Sequence, residues 1–230
     1  MTTGTIRAND ELWNKAVKRG LICLPLYILV PALFWLGFEQ AGYGMDWKGF
    51  GLGALGWFIA LALRGPIGAA SMKLSQNAAK NLMIASSGVL EESARLILIA
   101  VTSATSSWAL SVGQGWAAIE VLYTMITVVA IASLAKKTDE KSLQAKRMLE
   151  AQGTVQASPL WGILERIWAS AFHIGSTLVV ARYPWAVVAL IPIHSGLNWF
   201  GVKLAARAVW QSSVFIACLG ACMLAIGLAQ

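Results

Sequence analysis

Charge is scarce in this chain. Only 13% of its 230 residues are Asp, Glu, Lys or Arg, about half the share of an ordinary soluble domain. No polar stretch reaches the roughly 50 residues that an aqueous domain needs, so these residues are expected to form one domain, all of it membrane bundle. Cysteine is limited to Cys23, Cys218 and Cys222, with no spacing that suggests a disulfide scaffold or a cysteine zinc site. Cys218 and Cys222 share a helix face and read as small packing residues. The chain has only two histidines, His173 and His194, so any imidazole chemistry rests on that pair.

What the chain does have is apolar surface. Hydrophobic residues make up 57% of it, and its mean hydropathy is +0.64. Segments long enough to cross roughly 30 Å of hydrocarbon recur at 21–38, 50–63, 82–102, 116–134, 160–181, 185–200 and 209–228. The fourth extends back to 106 if the glycines at 113 and 115 do not break it. These predict an all-α, polytopic membrane bundle of about seven helices, one integral-membrane domain over residues 1–230. A polar segment, 1–20, precedes the first span, and a solvated connector occupies 135–158, with room for one amphipathic turn. The second span is expected to close at Gly65-Pro66. The first reads as a permanent helix and not a cleaved leader. Trp13, Trp47, Trp108, Trp116, Trp161 and Trp185 fall near span ends, as interfacial belts do.

The charge that exists is sorted by side. With the N-terminus inside, fourteen of the 18 Lys and Arg fall on cytoplasmic segments, as the positive-inside rule requires. The expected location is a prokaryotic cytoplasmic (inner) membrane. A net charge of +7 can point to nucleic acid. Here the bases are spread over four segments without a nucleic-acid motif, and anionic lipid is the better partner.

Four places break the apolar pattern inside spans, each costly unless partnered. In Glu91-Glu92-x-x-Arg95, the arginine can reach either carboxylate at helical spacing. The carboxylates point about 100° apart, so one is left for a proton, a metal or water. Glu120 follows Gly113-Gln114-Gly115 in a helix with no cation within a turn, so its partner must come from another helix. Glu165-Arg166 stands seven residues before His173. His194 and Asn198 align at i,i+4. Two histidines and in-span glutamates suit a zinc site with one open position. They equally suit a metal-free site, in which a glutamate takes a proton from water while His and Asn steady an oxyanion.

This ordered set resembles the glutamate intramembrane proteases, the group of the CAAX prenyl proteases and the CPBP enzymes. It is most similar to the YhfC-type intramembrane metalloproteases, related in outline to the PrsW type. Those proteins carry a Glu-Glu-x-x-Arg helix, a Gly-His-Gly segment before a glutamate, a Glu-Arg-x(6)-His helix and a final His-x-x-x-Asn or Asp. The order and approximate spacing hold over residues 88–200. The resemblance implies hydrolysis of a peptide bond within or beside the bilayer, on a membrane-embedded or membrane-proximal substrate. Glu91 or Glu92 would be the base, and His173, His194 and Asn198 would be catalytic. Arg95, Gln114, Glu120, Glu165 and Arg166 would support them, and Glu92, Glu120, His173 and His194 would hold a divalent metal, zinc by ligand type. Gln114 replaces the histidine of those relatives, which leaves open a non-catalytic relative that binds peptide or acts as an immunity protein. A proton-coupled transporter is the remaining class, disfavoured because no inverted repeat is visible.

Overall fold

A computed structural model describes residues 3–102, 106–151, 155 and 157–230; part of the 135–158 connector lies outside that set. Among the described residues the chain is all-helical. It runs α1 (Thr3–Gln40), α2 (Trp47–Ser71), α3 (Gln76–Val101), α4 (Ser106–Ala135), α5 (Glu140–Ala151), α6 (Pro159–Arg182), a 3-10 turn (Pro184–Ala186), α7 (Val187–Ala205) and α8 (Val209–Leu228). Five of these, α1, α2, α4, α7 and α8, are long and apolar enough to cross a membrane by length and composition. The other two long helices, α3 and α6, carry the adjacent charged pairs Glu91-Glu92 and Glu165-Arg166. With 26 and 24 residues at 1.5 Å each, they too are long enough to span.

The surface pattern is that of a membrane protein turned inside out relative to a soluble one. Leu29, Leu33, Phe58, Ile97 and Val188 face outward, whereas Glu91, Glu92, Arg95, His173 and His194 are buried. Hydrocarbon leaves exposed apolar groups without cost and makes an unpaired charge expensive, so the charges collect at the centre. The hub is α6, which packs against α1, α3, α4 and α8 and is buried almost continuously from Ala169 to Thr177.

Two close approaches fix the helices around it. A Cβ on Gly115 would run into the Phe50 carbonyl of α2, and one on Gly113 would stand 2.8 Å from the Ile174 Cα of α6. The pair therefore lets α4 lie against both neighbours, as small residues do in membrane bundles. The Gly-Gln-Gly segment does not break α4, which runs without interruption. Gly88 does the same between α3 and α7, where a Cβ would lie 2.6 Å from the Ile191 carbonyl.

The second span is longer than its hydropathy suggests. α2 continues through Pro66 to Ser71, because a proline forfeits one backbone bond and need not end the helix where the surroundings support it. Arg64 therefore sits on a membrane helix and not in a loop. The connector holds a 12-residue helix, α5, capped by Asp139, whose carboxylate accepts from the Ser142 amide and hydroxyl. Those bonds hold the Asp139 carboxyl below its ordinary range. Trp13 Nε1 of α1 donates to Glu150 Oε1 of α5 at 2.6 Å, so the N-terminal segment and the connector share one end of the bundle. Of the expected interfacial tryptophans, Trp47 and Trp185 are exposed, but Trp13, Trp108 and Trp116 are buried. For Trp116 the reason is depth: ten residues into α4, it stands about 15 Å along the helix.

Candidate active site

The polar residues singled out in the sequence meet where α3, α4, α6 and α7 converge. Helical spacing puts Glu91 and Glu92 on different faces of α3, and each acquires its own guanidinium. Arg95 Nε donates to Glu92 Oε2 at 3.0 Å and its Nη2 to Oε1 at 3.3 Å, both residues being 0% exposed. Glu91 Oε1 instead accepts from Nη2 of Arg64 on α2. The ambiguity over which carboxylate Arg95 serves is thus resolved in favour of Glu92.

Arg95 does more than neutralise its neighbour. Its Nη1 donates to the His173 carbonyl at 3.0 Å and to Thr177 Oγ1, and its Nη2 donates to His173 Nδ1 at 3.0 Å. Its guanidinium lies over the Trp116 ring, 4.5 Å from the centroid. Trp116 Nε1 donates to Glu91 Oε2 at 3.4 Å. One tryptophan therefore touches both halves of the α3 motif.

The two histidines come together, with ring centroids 5.3 Å apart and Phe172 edge-on to both. His194 Nδ1 is 2.7 Å from Glu92 Oε1, and its Nε2 is 3.9 Å from Glu91 Oε2. His173 Nε2 is 2.7 Å from Glu120 Oε2. The partner that Glu120 required from another helix is Arg166 on α6, whose Nη1 donates to Oε1 at 2.6 Å, while its Nη2 holds Glu165. Asn198 Nδ2 donates to Ser87 Oγ of α3 at 2.7 Å.

A cavity of about 560 Å³ opens over this cluster. Arg64, Glu91, Glu120, Glu165, Arg166, His173, His194 and Asn198 line it, and it extends to Thr127, Gly162 and Ala205 near the end of the bundle that carries the connector. Glu92 and Arg95 do not line it; they stand behind the histidines. Gln114 does not line it either. Its side chain is buried in α4, and among the described residues its Oε1 has no hydrogen-bond partner. The glutamine that replaces a histidine of the resembled proteins is therefore not among the groups facing the cavity.

Among the described residues, one group of three has ligand atoms close enough to hold a metal ion. Glu91, His173 and His194 each offer one atom, all within 4.8 Å of one another. It shares His173 and His194 with the expected set and has Glu91 beside them; Glu92 is paired with Arg95 and His194, and Glu120 with Arg166 and His173. Sequence reasoning missed Arg64 and Trp116. A reading of α2 through Pro66, and of α4 back to Ser106, puts both inside the membrane, where neither is a loop or belt residue.

No curated protein and no solved structure matches the chain. A family model does, that of the YhfC intramembrane metalloproteases, over residues 26–215. On this match, which spans most of its length, the chain belongs to the YhfC intramembrane metalloprotease family.

Proposed function

We propose that the chain is an intramembrane peptidase, working as one membrane unit over residues 1–230, that hydrolyses a peptide bond of a membrane-embedded or membrane-proximal substrate. The observation that carries this is the meeting of Glu91, His173 and His194, from three different helices, at a cavity that also presents Glu120. Buried ionisable groups in a membrane are expensive and mark function. A purely structural ion pair would not require an open cavity at its centre.

The donor set suits a divalent cation. In the ion-pair network of the described residues, four carboxylates (Glu91, Glu92, Glu120, Glu165) face three guanidiniums (Arg64, Arg95, Arg166). The excess is negative, and nitrogen and carboxylate ligands match a zinc hydrolase centre. Glu91 and His194 would hold the ion with His173 within reach. Glu92, at the far nitrogen of His194, supplies the outer carboxylate that orients a ligating imidazole. When bound, the ion would polarise the scissile carbonyl and make water a nucleophile at neutral pH.

The remaining roles belong to the protein. Glu120, held in position by Arg166, takes the proton from the attacking water and returns it to the leaving amine nitrogen as the C–N bond breaks. Asn198 faces the carbonyl oxygen of the substrate and donates to it as charge develops, while His173 Nε2, 2.7 Å from Glu120 Oε2, holds that carboxylate in place. Phe172 and Trp116 exclude bulk water from the back of the site. The basic end of the bundle, where the cavity opens, is assigned to the cytoplasm of a prokaryotic inner membrane.

Elemental analysis of the purified chain, paired with cleavage of a transmembrane peptide before and after chelation, tests this reading. About one divalent ion per chain and chelator-sensitive cleavage support it. Full cleavage by metal-free protein would remove the ion from the account.

A further inference from the structure

The two histidines are gripped at the same ring atom by opposite partners. Arg95 Nη2 lies 3.0 Å from His173 Nδ1, and Glu92 Oε1 lies 2.7 Å from His194 Nδ1. A guanidinium has only donors, and a carboxylate only accepts. His173 Nδ1 must therefore be the bare nitrogen of its ring, which leaves the proton on Nε2, where Glu120 Oε2 accepts it at 2.7 Å. His194 Nδ1 must carry a proton. Its Nε2 is 3.9 Å from Glu91 Oε2, beyond hydrogen-bond reach, so among the described residues that carboxylate does not take a second proton from the ring.

We infer that the Glu92–Arg95 pair sets the two histidines in opposite tautomers, so that His194 presents a bare Nε2 to the cavity and His173 presents an N–H. This rests on the peptidase reading and divides the labour within it. A neutral imidazole that ligates through Nε2 keeps its proton on Nδ1. His194 is arranged in this way, with a carboxylate at Nδ1 to raise its basicity as a ligand. His173 is arranged in the reverse way. For it to ligate through Nε2, its proton would have to sit on Nδ1, pointing at the N–H of Arg95, donor against donor. His173 is thus the hydrogen-bond donor of the site, and Arg95 is a positioning residue that acts through it. Proximity alone, which groups His173 with Glu91 and His194, does not distinguish these roles; hydrogen-bond direction does.

The test uses the whole chain in nanodiscs, labelled with ¹⁵N in its imidazole rings. With two histidines in the sequence, only two rings contribute, and single histidine substitutions assign them. The expected spectrum has His173 protonated at Nε2 and bare at Nδ1, and His194 the reverse. On adding zinc, the His194 Nε2 resonance shifts while the His173 Nε2 proton persists. Arg95→Lys, which still donates, keeps the His173 tautomer; Arg95→Met lets both tautomers of that ring appear while helix content by circular dichroism is retained. A wild-type His173 protonated at Nδ1, a second proton on either ring at neutral pH, or loss of the His173 Nε2 proton on zinc addition would each overturn the inference. The wild-type spectra decide it even if Arg95→Met does not fold. Zinc that perturbs neither ring would count against the metal and leave the tautomers as inferred.

Discussion

Glu92 and Arg95 stand one helical turn apart on α3, paired at 3.0 Å with no exposed surface, and between them they touch Nδ1 of both histidines in the chain. A buried pair of this kind is rarely a source of stability, since desolvating two charges cancels most of their attraction. Breaking it from one side is another matter. Arg95→Met leaves Glu92 buried without its cation and is expected to cost about 3–5 kcal/mol. Glu92→Gln combined with Arg95→Met is expected to cost less than the sum of the two single changes, because the charges disappear together. Thermal unfolding of the four proteins in one detergent measures the coupling. Strict additivity would mean that the pair does not act as a unit.

Glu120 is the proposed acceptor of the water proton. Glu120→Gln keeps the shape of the side chain and can still accept from Arg166, but turns its amide nitrogen toward the His173 Nε2–H, so the fold is expected to survive with a lowered unfolding temperature. Turnover is expected to fall about 10²-fold or more, since an amide cannot serve as a general base. Cleavage rate and unfolding temperature, measured on the same preparation, separate the two effects. A variant that cleaves at the wild-type rate would move the base elsewhere, with Glu91 the next carboxylate on the cavity.

Gln114 carries the one departure from the resembled motifs, and its position makes it a clean control. The side chain is buried away from the cavity, and its Oε1 has no partner among the described residues. Leaving a buried polar atom unpaired costs about 1–3 kcal/mol, so Gln114→Met is expected to be neutral or stabilising and to leave cleavage intact. Gln114→His is likewise expected to leave metal content unchanged. A gain of metal or activity in Gln114→His would show that this position communicates with the site.

Gly88 holds α7 against α3. Gly88→Val would push a side chain into Ser195 and Ile191, and overpacking of this sort costs about 1–3 kcal/mol. Because α7 carries His194 and α3 carries Glu92, separating these helices is expected to lengthen their hydrogen bond and to abolish zinc binding. Zinc titration of folded Gly88→Val against wild type reads this out. Unaltered affinity would mean that the site tolerates a shift between the two helices.

Much of this was legible in the sequence, and the gaps have physical causes. Hydropathy located the seven long helices because a bilayer imposes its thickness on any span. The same cost of burying charge required the Glu120 partner to come from another helix, and it does, from Arg166. The histidines had to converge for the same reason. The sequence did not show where Pro66 would be tolerated, because that depends on what surrounds the helix end. Arg64 lies one residue past the expected span 50–63 and so reads as a loop residue, which hides it as the partner of Glu91. Trp116 was misplaced because hydropathy put the start of α4 about ten residues late, which turned a mid-helix tryptophan into a belt residue. The choice between Glu91 and Glu92 for Arg95 could not be read from i,i+3 and i,i+4 spacing, since both are compatible with a helix. It follows from where α2 and α6 pack.

The sidedness inferred from charge is also open to measurement. Trp13 and Glu150 join the N-terminal segment to α5, so both must lie on one side. With the native cysteines replaced, a cysteine at Lys141 is expected to react with impermeant reagent only from the cytoplasmic face, as does one at Lys15. Labelling of both from outside would invert the orientation and put the cavity mouth on the other side.

Peptide hydrolysis itself is the central claim, and oxygen-18 tests it most directly. The purified chain in nanodiscs is incubated with a transmembrane peptide in H₂¹⁸O, and the products are weighed by mass spectrometry. The wild type is expected to yield one new carboxyl terminus carrying ¹⁸O, and Glu120→Gln and His194→Ala none. Intact peptide with the metal-loaded wild type, or labelled product that persists in both variants, would contradict the central claim.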